Sequence, residues 1–359
     1  MKNFRKRGKH LTALLLTAAF LVMSLAACSS TADTADSSAD GSEDTSDSSS
    51  EDEELKVLRI GVGGSDDYYS TELGNIAIIY GYLEEELNEV GYTAEFYTFT
   101  AAGTEINEAL ASGDVDAAMY GDFPAFTSKS NGIETTIIAS TNQRMQYAVV
   151  SANSEVTSAQ EIEGHNVVYL YGSVQQYFWE NFVEAAGIDG DAVESINSTD
   201  YSSLLATGSA DTSAVNIYLA AYYESLGIAE IIAEGSDYDI FTTFVVTLKN
   251  TVLEEDPDVA VAINKALIRA YETALEDPEI LYEAVASETM SAEIMKTEYE
   301  WDESLWYLSP GITDDTLEYY ESLNEWLYEN GVISETVDID SFVDTSYYET
   351  ALAELEAEE

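Results

Sequence analysis

Few residues in this chain can do covalent chemistry. His10 and His165 are its two histidines and Cys28 is its one cysteine, so a histidine-based triad, a zinc site or an internal disulfide has almost nothing to be built from. Gly61-Val-Gly-Gly64 follows an apolar run and invites a dinucleotide-binding reading. The next glycine of that fingerprint would fall at position 66, which is aspartate, so the pattern fails. A tight turn presenting Ser65 to Tyr69 is the reading that remains.

Recognition chemistry is better supplied. Gly172-Ser-Val-Gln175 leads into a predicted helix, where free N–H groups and the positive end of the helix dipole attract an anionic headgroup. Ser173 also reads as an ordinary helix cap, and the two roles are compatible because a helix start has four free N–H groups. Gly121-Asp-Phe-Pro124 places a proline where a helix begins. Asp122 is then the N-cap of that helix, or the partner of an amine on a ligand. Asn216 and Tyr218 stand at the matching place further along and both carry hydrogen-bond donors. Tyr68, Tyr69, Tyr171, Tyr177 and Trp179 lie near loop ends or just inside helices, as a stacking platform for a heterocycle or as aromatic core.

Composition narrows the partners. The chain has 359 residues, 46% of them hydrophobic, with 69 acidic and 13 basic residues and a formal charge of −56. Five of the bases lie in the first nine residues, which leaves eight and a charge of −61 from Cys28 onward. Such a surface repels nucleic acid and anionic lipid headgroups. Between Met145 and Leu248 there is no Lys or Arg against 15 acids, so an anion bound there would rest on backbone N–H groups, hydroxyls and amides. Arg144 is the nearest cationic side chain, facing the ligand or paired with a surface acid. This field favours an amine-bearing sulfonate or another zwitterion over a bare inorganic anion.

The elements that position these loops alternate. Strands are expected at Lys56 to Val62, Thr93 to Phe99 and Asp116 to Tyr120. Helices are expected at Thr71 to Leu87, Glu105 to Ser112, Phe123 to Ser130, Asp258 to Leu275, Glu279 to Glu288 and Thr313 to Asn330, with Gly331 just past the last one. That order argues an α/β architecture. Leu110-Ala-Ser-Gly-Asp-Val-Asp116 is echoed 95 residues later by Leu205-Ala-Thr-Gly-Ser-Ala-Asp211. The same offset carries Gly121 onto Asn216, which predicts two similar lobes, each an open parallel sheet with its ligand loops at the carboxyl ends of the strands. Lobe I is expected to comprise 55–147 and 249–359, and lobe II 148–248.

Ahead of the body lie a basic start, an apolar run from Leu11 to Leu25 and small residues, the pattern of an export signal over 1–27. Leu25-Ala26-Ala27-Cys28 resembles a bacterial lipobox, which implies a lipidated Cys28. Residues 29 to 54 contain only Ser, Thr, Ala, Asp, Glu and Gly, ten of them acids, and read as a disordered, self-repelling tether. The expected location is the outer face of the cytoplasmic membrane, lipid-anchored at the cell surface.

The residues Gly81-Tyr-Leu-Glu-Glu-Glu-Leu, Gly91, Phe99, Gly103, Glu108 to Asp116 and Gly121-Asp-Phe-Pro124, with Asn166-Val-Val-Tyr-Leu-Tyr-Gly-Ser173 and Ala186-Gly187, resemble the solute-binding proteins of ABC importers. The similar branch is the one for aliphatic sulfonates, taurine and nitrate, with thiamine-precursor binders as relatives. The resemblance implies a type II periplasmic-binding-protein fold, two Rossmann-like lobes joined by crossing hinge strands near Tyr147 to Ser151 and Phe244 to Leu248. It implies a receptor that closes on a small organic solute, a sulfonate such as taurine or an alkanesulfonate first, while the strong like charge argues for a monomer. The solute is then delivered to a permease with its ATPase. The resemblance supplies the loops and not the contacts; the candidate ligand contacts on and beside them are Ser65, Asp66, Tyr68, Gly103, Gly121, Asp122, Tyr171, Gly172, Ser173, Gln175, Asn216 and Tyr218, and the scarcity of Cys and His argues for no cofactor and no metal. A pyrimidine or thiamine-precursor heterocycle is the alternative ligand. An extracellular enzyme, using paired carboxylates such as Asp66 and Asp122, and a sensory or adhesive lipoprotein are the alternatives of another class.

Overall fold

The computed structural model describes residues 55–65, 68–301 and 304–358. The expected signal, Cys28 and its tether, and Asp66 lie outside the described residues, as does the side chain of Tyr68. No described helix is long and apolar enough to cross a membrane.

Eleven strands are described: β1 (Lys56–Ser65), β2 (Tyr68–Ser70), β3 (Tyr92–Phe99), β4 (Ala117–Gly121), β5 (Thr135–Met145), β6 (Tyr147–Ser151), β7 (Asn166–Tyr169), β8 (Glu194–Asn197), β9 (Thr212–Asn216), β10 (Glu230–Glu234) and β11 (Thr242–Lys249). They form two sheets. The first runs β3-β1-β4-β11-β5, with β2 folded back on the end of β1, and the second runs β8-β7-β9-β6-β10. In each sheet the three strands at one side are parallel and the fourth is antiparallel to both of its neighbours. Both antiparallel strands arrive from the other sheet. β5 in the first sheet passes through Gln146 into β6 of the second, and β10 of the second is followed by β11 of the first. This is a two-lobed α/β fold with crossing strands. The two strands that cross, β6 and β11, are those expected near Tyr147 to Ser151 and Phe244 to Leu248, and strand pairing places Thr242–Lys249 in the first sheet.

The repeat at 95 residues has a physical basis. β4 (Ala117–Gly121) and the helix Asp122–Ser130 map onto β9 (Thr212–Asn216) and the helix Ile217–Ser225 without a gap. Just before each strand, one carboxylate pins the neighbouring parallel strand. Asp116 Oδ2 accepts the amide of Arg59 at 3.2 Å, and Asp211 Oδ2 accepts the amide of Asn166 at 3.3 Å. The preceding glycines, Gly113 and Gly208, take left-handed backbone angles at φ 85° and 68°, conformations that only glycine adopts cheaply. Gly121 and Asn216 then both sit extended as the residue before a helix.

β4 is buried along its whole length, as is β6, which is what central strands covered on both faces require. Helix Asp258–Glu276 packs Val259, Ile263, Ala266, Leu267 and Ala270 against the β1 side of the first sheet, in one apolar cluster with Leu58, Ile60 and Val62. A second cluster joins Tyr120, Phe123 and Phe126 of the first lobe to Phe178, Trp179 and Phe182 of the second, with Tyr320 and Leu323 from the helix Asp314–Glu329. Gly331 lies just beyond that helix at φ 69°.

Three local expectations are corrected. The segment Ser65 to Tyr69, expected to be presented as loop by a tight turn, is part of a hairpin, since β1 runs to Ser65 and pairs with β2. The helix expected at Thr71 to Leu87 is two, Leu73–Ile79 and Tyr82–Glu89, because Gly81 takes φ 78° between them. The helix expected at Glu279 to Glu288 is Pro278–Ala284, started one residue earlier by Pro278 with Asp277 capping the amide of Glu279.

Candidate functional site

The loops at the carboxyl ends of the parallel strands meet between the lobes. Their contact is tight enough to need bare backbone. A Cβ added at Gly121 would lie 2.6 Å from Val174 Cγ1 across the lobe contact, and one at Gly103 would lie 2.4 Å from the Pro124 ring. Real Cβ atoms do not approach so closely. Gly172, at φ 70°, faces Thr104 of the first lobe, whose Oγ1 is 3.7 Å from the site of a Cβ there. Of the predicted contacts, Gly103, Gly121, Asp122, Gly172 and Asn216 lie on the loops and helix starts that make this junction.

The expected anion cradle is filled by the protein's own acceptors in this arrangement. Ser173 Oγ caps the amide of Gln175 at 3.2 Å and donates to Leu170 O at 2.7 Å. Gln175 Oε1 takes the amide of Leu170, Asn197 Oδ1 that of Tyr171, and Gln176 Oε1 that of Gly172, each within 3.0 Å. The amide of Gln176 meets Ser173 O. Tyr201 OH adds a second donor on Gln175 Oε1 at 2.8 Å. An anion would have to replace these bonds to use those five amides. Tyr171 is exposed and leans on Tyr169 at 5.1 Å.

Asp122 is wholly buried. It is the first residue of its helix, with Gly121 as the cap. Its Oδ2 accepts from the Thr243 amide at 2.7 Å, Thr243 Oγ1 at 3.0 Å and Tyr319 OH at 2.8 Å, while Oδ1 accepts from the Phe123 amide at 2.6 Å. Burial pushes this carboxyl up to about 6, against the hydrogen bonds that hold it down. Four donors leave little room for a ligand amine. The group is a pin between β4, β11 and the carboxyl-terminal helix.

Around it stands an aromatic wall. Tyr177 meets Tyr319 and Trp326 edge-on at 6.1 and 5.1 Å, and Phe241 lies 5.2 Å from Tyr319. Trp326 also faces Phe123 of the first lobe at 6.4 Å, so the helix Asp314–Glu329 touches both lobes. Arg144, at the end of β5, is sandwiched by Phe241 and Tyr307 at 4.2 and 4.8 Å and lies 3.7 Å from Asp239. It bridges the crossing segments. Trp179 is buried in the second lobe, and Tyr69 stacks on Phe96 at 5.3 Å. Asn216 Nδ2 donates to Met145 Sδ at 3.1 Å, while Tyr218 is buried in the apolar cluster of helix Asp258–Glu276. Ser65 is exposed on the β1–β2 hairpin. His165 stands near Asn153 and Asp211 at the start of β7, far in the fold from these loops.

Two carboxylates that sequence reasoning did not single out are buried at the same junction. Glu72 follows the hairpin at the carboxyl end of β1 and is 2% exposed; its Oε2 accepts from Tyr299 OH. Its backbone is strained, at φ 51° and ψ −117°. Glu298, 1% exposed, accepts the amide of Gln146 at 2.7 Å on Oε1. Gln146 is the residue of the crossing, and its carbonyl takes the amide of Ile217 at the start of the second-lobe helix. Burial raises both carboxyls, and the neighbouring Glu72 charge raises Glu298 further. Glu72 was findable as an acid just after a hairpin. Glu298 carries no local signal, because its place depends on contacts 152 residues away in sequence.

A surface hollow of about 520 Å³ between Thr136, Asn250, Asp344 and Tyr347 lies beside β5, away from these loops. Among the described residues no group of three or more His, Cys, Asp or Glu could hold a metal ion.

Comparison with known proteins agrees with this architecture. The sulfonate-binding periplasmic protein SsuA of a Methylobacillus flagellatus KT ABC transporter is 21% identical, with a TM-score of 0.73 over 85% of this chain and 96% of that one. The periplasmic aliphatic sulphonate binding protein SsuA from Escherichia coli is 18% identical, with a TM-score of 0.64 over 80% and 92%. The desulfurization enzyme DSZB, 14% identical, has a TM-score of 0.65 over 84% and 99%, so this architecture serves both binding proteins and an enzyme. The curated proteins contain no match. These likenesses give the periplasmic-binding-protein fold. Residues 91–280 match the family described as NMT1/THI5 like, and they run from the turn before β3 through the whole second sheet and β11. The chain belongs to the NMT1/THI5-like family.

Proposed function

We propose that this chain is the extracytoplasmic solute receptor of an ABC importer, and that it captures a small organic solute by closing two lobes over it. The observation that carries this reading is the lobe contact itself. Two matching helix starts, Asp122–Ser130 and Ile217–Ser225, stand at the carboxyl ends of central strands, where open α/β sheets bind ligands. Among the described residues two crossings join the sheets, β5 to β6 and β10 to β11, the construction that lets lobes hinge. Both sulfonate-binding proteins compared above have this fold, which supports a sulfonate such as taurine or an alkanesulfonate as the solute.

Within this reading, Cys28 is the lipidated first residue of the mature protein, and residues 29 to 54 are its tether to the outer face of the membrane. The permease and its ATPase are the partners that receive the closed form. Thermal unfolding of the full chain against a solute panel tests the function. A solute that binds only the native state adds about 2.7 kcal/mol at 100 times its Kd, seen as a rise of several degrees in midpoint. The reading is supported by a saturable shift with taurine or an alkanesulfonate, and it fails if none of the sulfonates shifts protein that is folded and free of carried-over solute.

A further inference from the structure

We propose that Glu72 and Glu298 form a subsite for a cationic nitrogen on the solute, so that the solute is an amine-bearing one. This deepens the receptor reading above and rests on it for the place of binding.

The geometry is specific. Glu72 comes from the first lobe, at the carboxyl end of β1. Glu298 comes from the turn Lys296–Tyr299, which packs on the second-lobe helix Ile217–Ser225. Tyr299 joins them by donating its hydroxyl to Glu72 Oε2. The pair therefore stands where both lobes and one crossing strand converge. The Glu298 carboxyl accepts one hydrogen bond, from the Gln146 amide, and its Oε2 is buried with no hydrogen-bond partner among the described residues. A buried carboxyl oxygen without a partner costs more than an ordinary hydrogen bond returns. Proteins keep such an atom where something else satisfies it.

Six cations of the described residues are committed to other acids: Lys56, Arg59, Lys129, Arg144, Lys265 and Arg269 are in ion pairs. Burial lowers Lys249, and Lys296 lies over the Tyr282 ring at 5.7 Å. A ligand N–H donor bearing positive charge is the chemistry that answers two buried acids and one idle oxygen. Asp122, by contrast, already has four donors and is not the amine partner.

The test is titration calorimetry on the full chain with three probes: taurine, ethanesulfonate, and a protonated aminopyrimidine without a sulfonate. Each is titrated into the parent, Glu298→Gln and Glu72→Gln. The amide introduced by Glu298→Gln keeps an oxygen for the Gln146 amide, and thermal unfolding of both variants verifies the fold. In the parent, taurine should bind about 10- to 100-fold more tightly than ethanesulfonate, the worth of one charge-assisted hydrogen bond, and Glu298→Gln should erase that preference while leaving ethanesulfonate unchanged. If the aminopyrimidine alone binds and Glu298→Gln abolishes it, the amine subsite stands and the sulfonate assignment falls. Equal binding of taurine and ethanesulfonate, or a taurine preference that survives both variants, overturns the subsite and leaves the receptor reading intact. No binding of any probe to folded protein overturns both.

Discussion

At the scale of single residues, buried acids set the character of this protein. Asp122, Glu72 and Glu298 all lie in the interior with their carboxyls pushed upward by burial. For Asp122 the rise is from 3.8 to about 6, worth about 3 kcal/mol. A carboxyl raised in the native state binds protons that the unfolded chain has released, so its burden on stability is absent below about pH 4 and complete above about pH 6. Unfolding midpoints should therefore rise as pH falls from about 7.5 to about 5, the reverse of acid lability. Asp122→Asn should flatten that slope by close to one proton in denaturant titrations at several pH values. An unchanged slope would show that the carboxyl is ionised throughout. The Asp122 bonds reach 121 and 197 residues along the chain, to Thr243 and Tyr319. Its identity as a helix-start residue was legible in the sequence because Pro124 marks that start. The four donors that close it to a ligand were not, because they come from distant elements.

At the scale of elements, the repeat is the part of the fold most plainly written in the sequence. Helix, glycine, aspartate and buried strand recur at 95 residues, and each piece has the same job in its own lobe. Asp116→Ala and Asp211→Ala should each cost about 1 to 3 kcal/mol, since each leaves a strand-edge amide without its acceptor. Asp116 should lie toward the upper end, because it also takes Arg59 Nε at 2.8 Å and pairs its Nη2 at 2.6 Å. Chemical denaturation of the two single variants checks both numbers, and a loss under about 0.5 kcal/mol in each would mean the repeat has no energetic role. The break at Gly81 was not legible, because an apolar run continues across it and only the left-handed glycine reveals the kink. The hairpin after β1 was missed for a related reason: Asp66 and Asp67 read as loop, while the pairing belongs to the residues that flank them. Gly121 shows an element-level constraint of another kind. Gly121→Val would drive side-chain atoms into Val174, so it should hold the lobes apart and weaken solute binding at least tenfold with little loss of lobe stability, as read by calorimetry and by two-probe unfolding.

At the scale of the whole molecule, charge and hinge act together. A body with eight bases against 59 acids from Leu55 onward repels itself over the range that salt screens, about 10 Å at 0.1 M. Raising sodium chloride from about 10 to about 150 mM should raise the unfolding midpoint, and a flat response would mean that the acids are locally compensated. The two-lobed plan was legible from the repeat and from the resemblance, because each lobe repeats one local pattern of helix, glycine and buried strand. The acidic pair at the Gln146 crossing was not legible, since it is made only when the carboxyl-terminal turn folds back on the second lobe. The central claim is that the lobes close on a solute. Its most direct measurement is the distance distribution between spin labels at Ser112→Cys in the first lobe and Ala185→Cys in the second, both exposed sites, in a Cys28→Ser background. Saturating solute should collapse a broad or longer distribution into one short, narrow distance. A distribution that does not change when binding is complete would contradict the account.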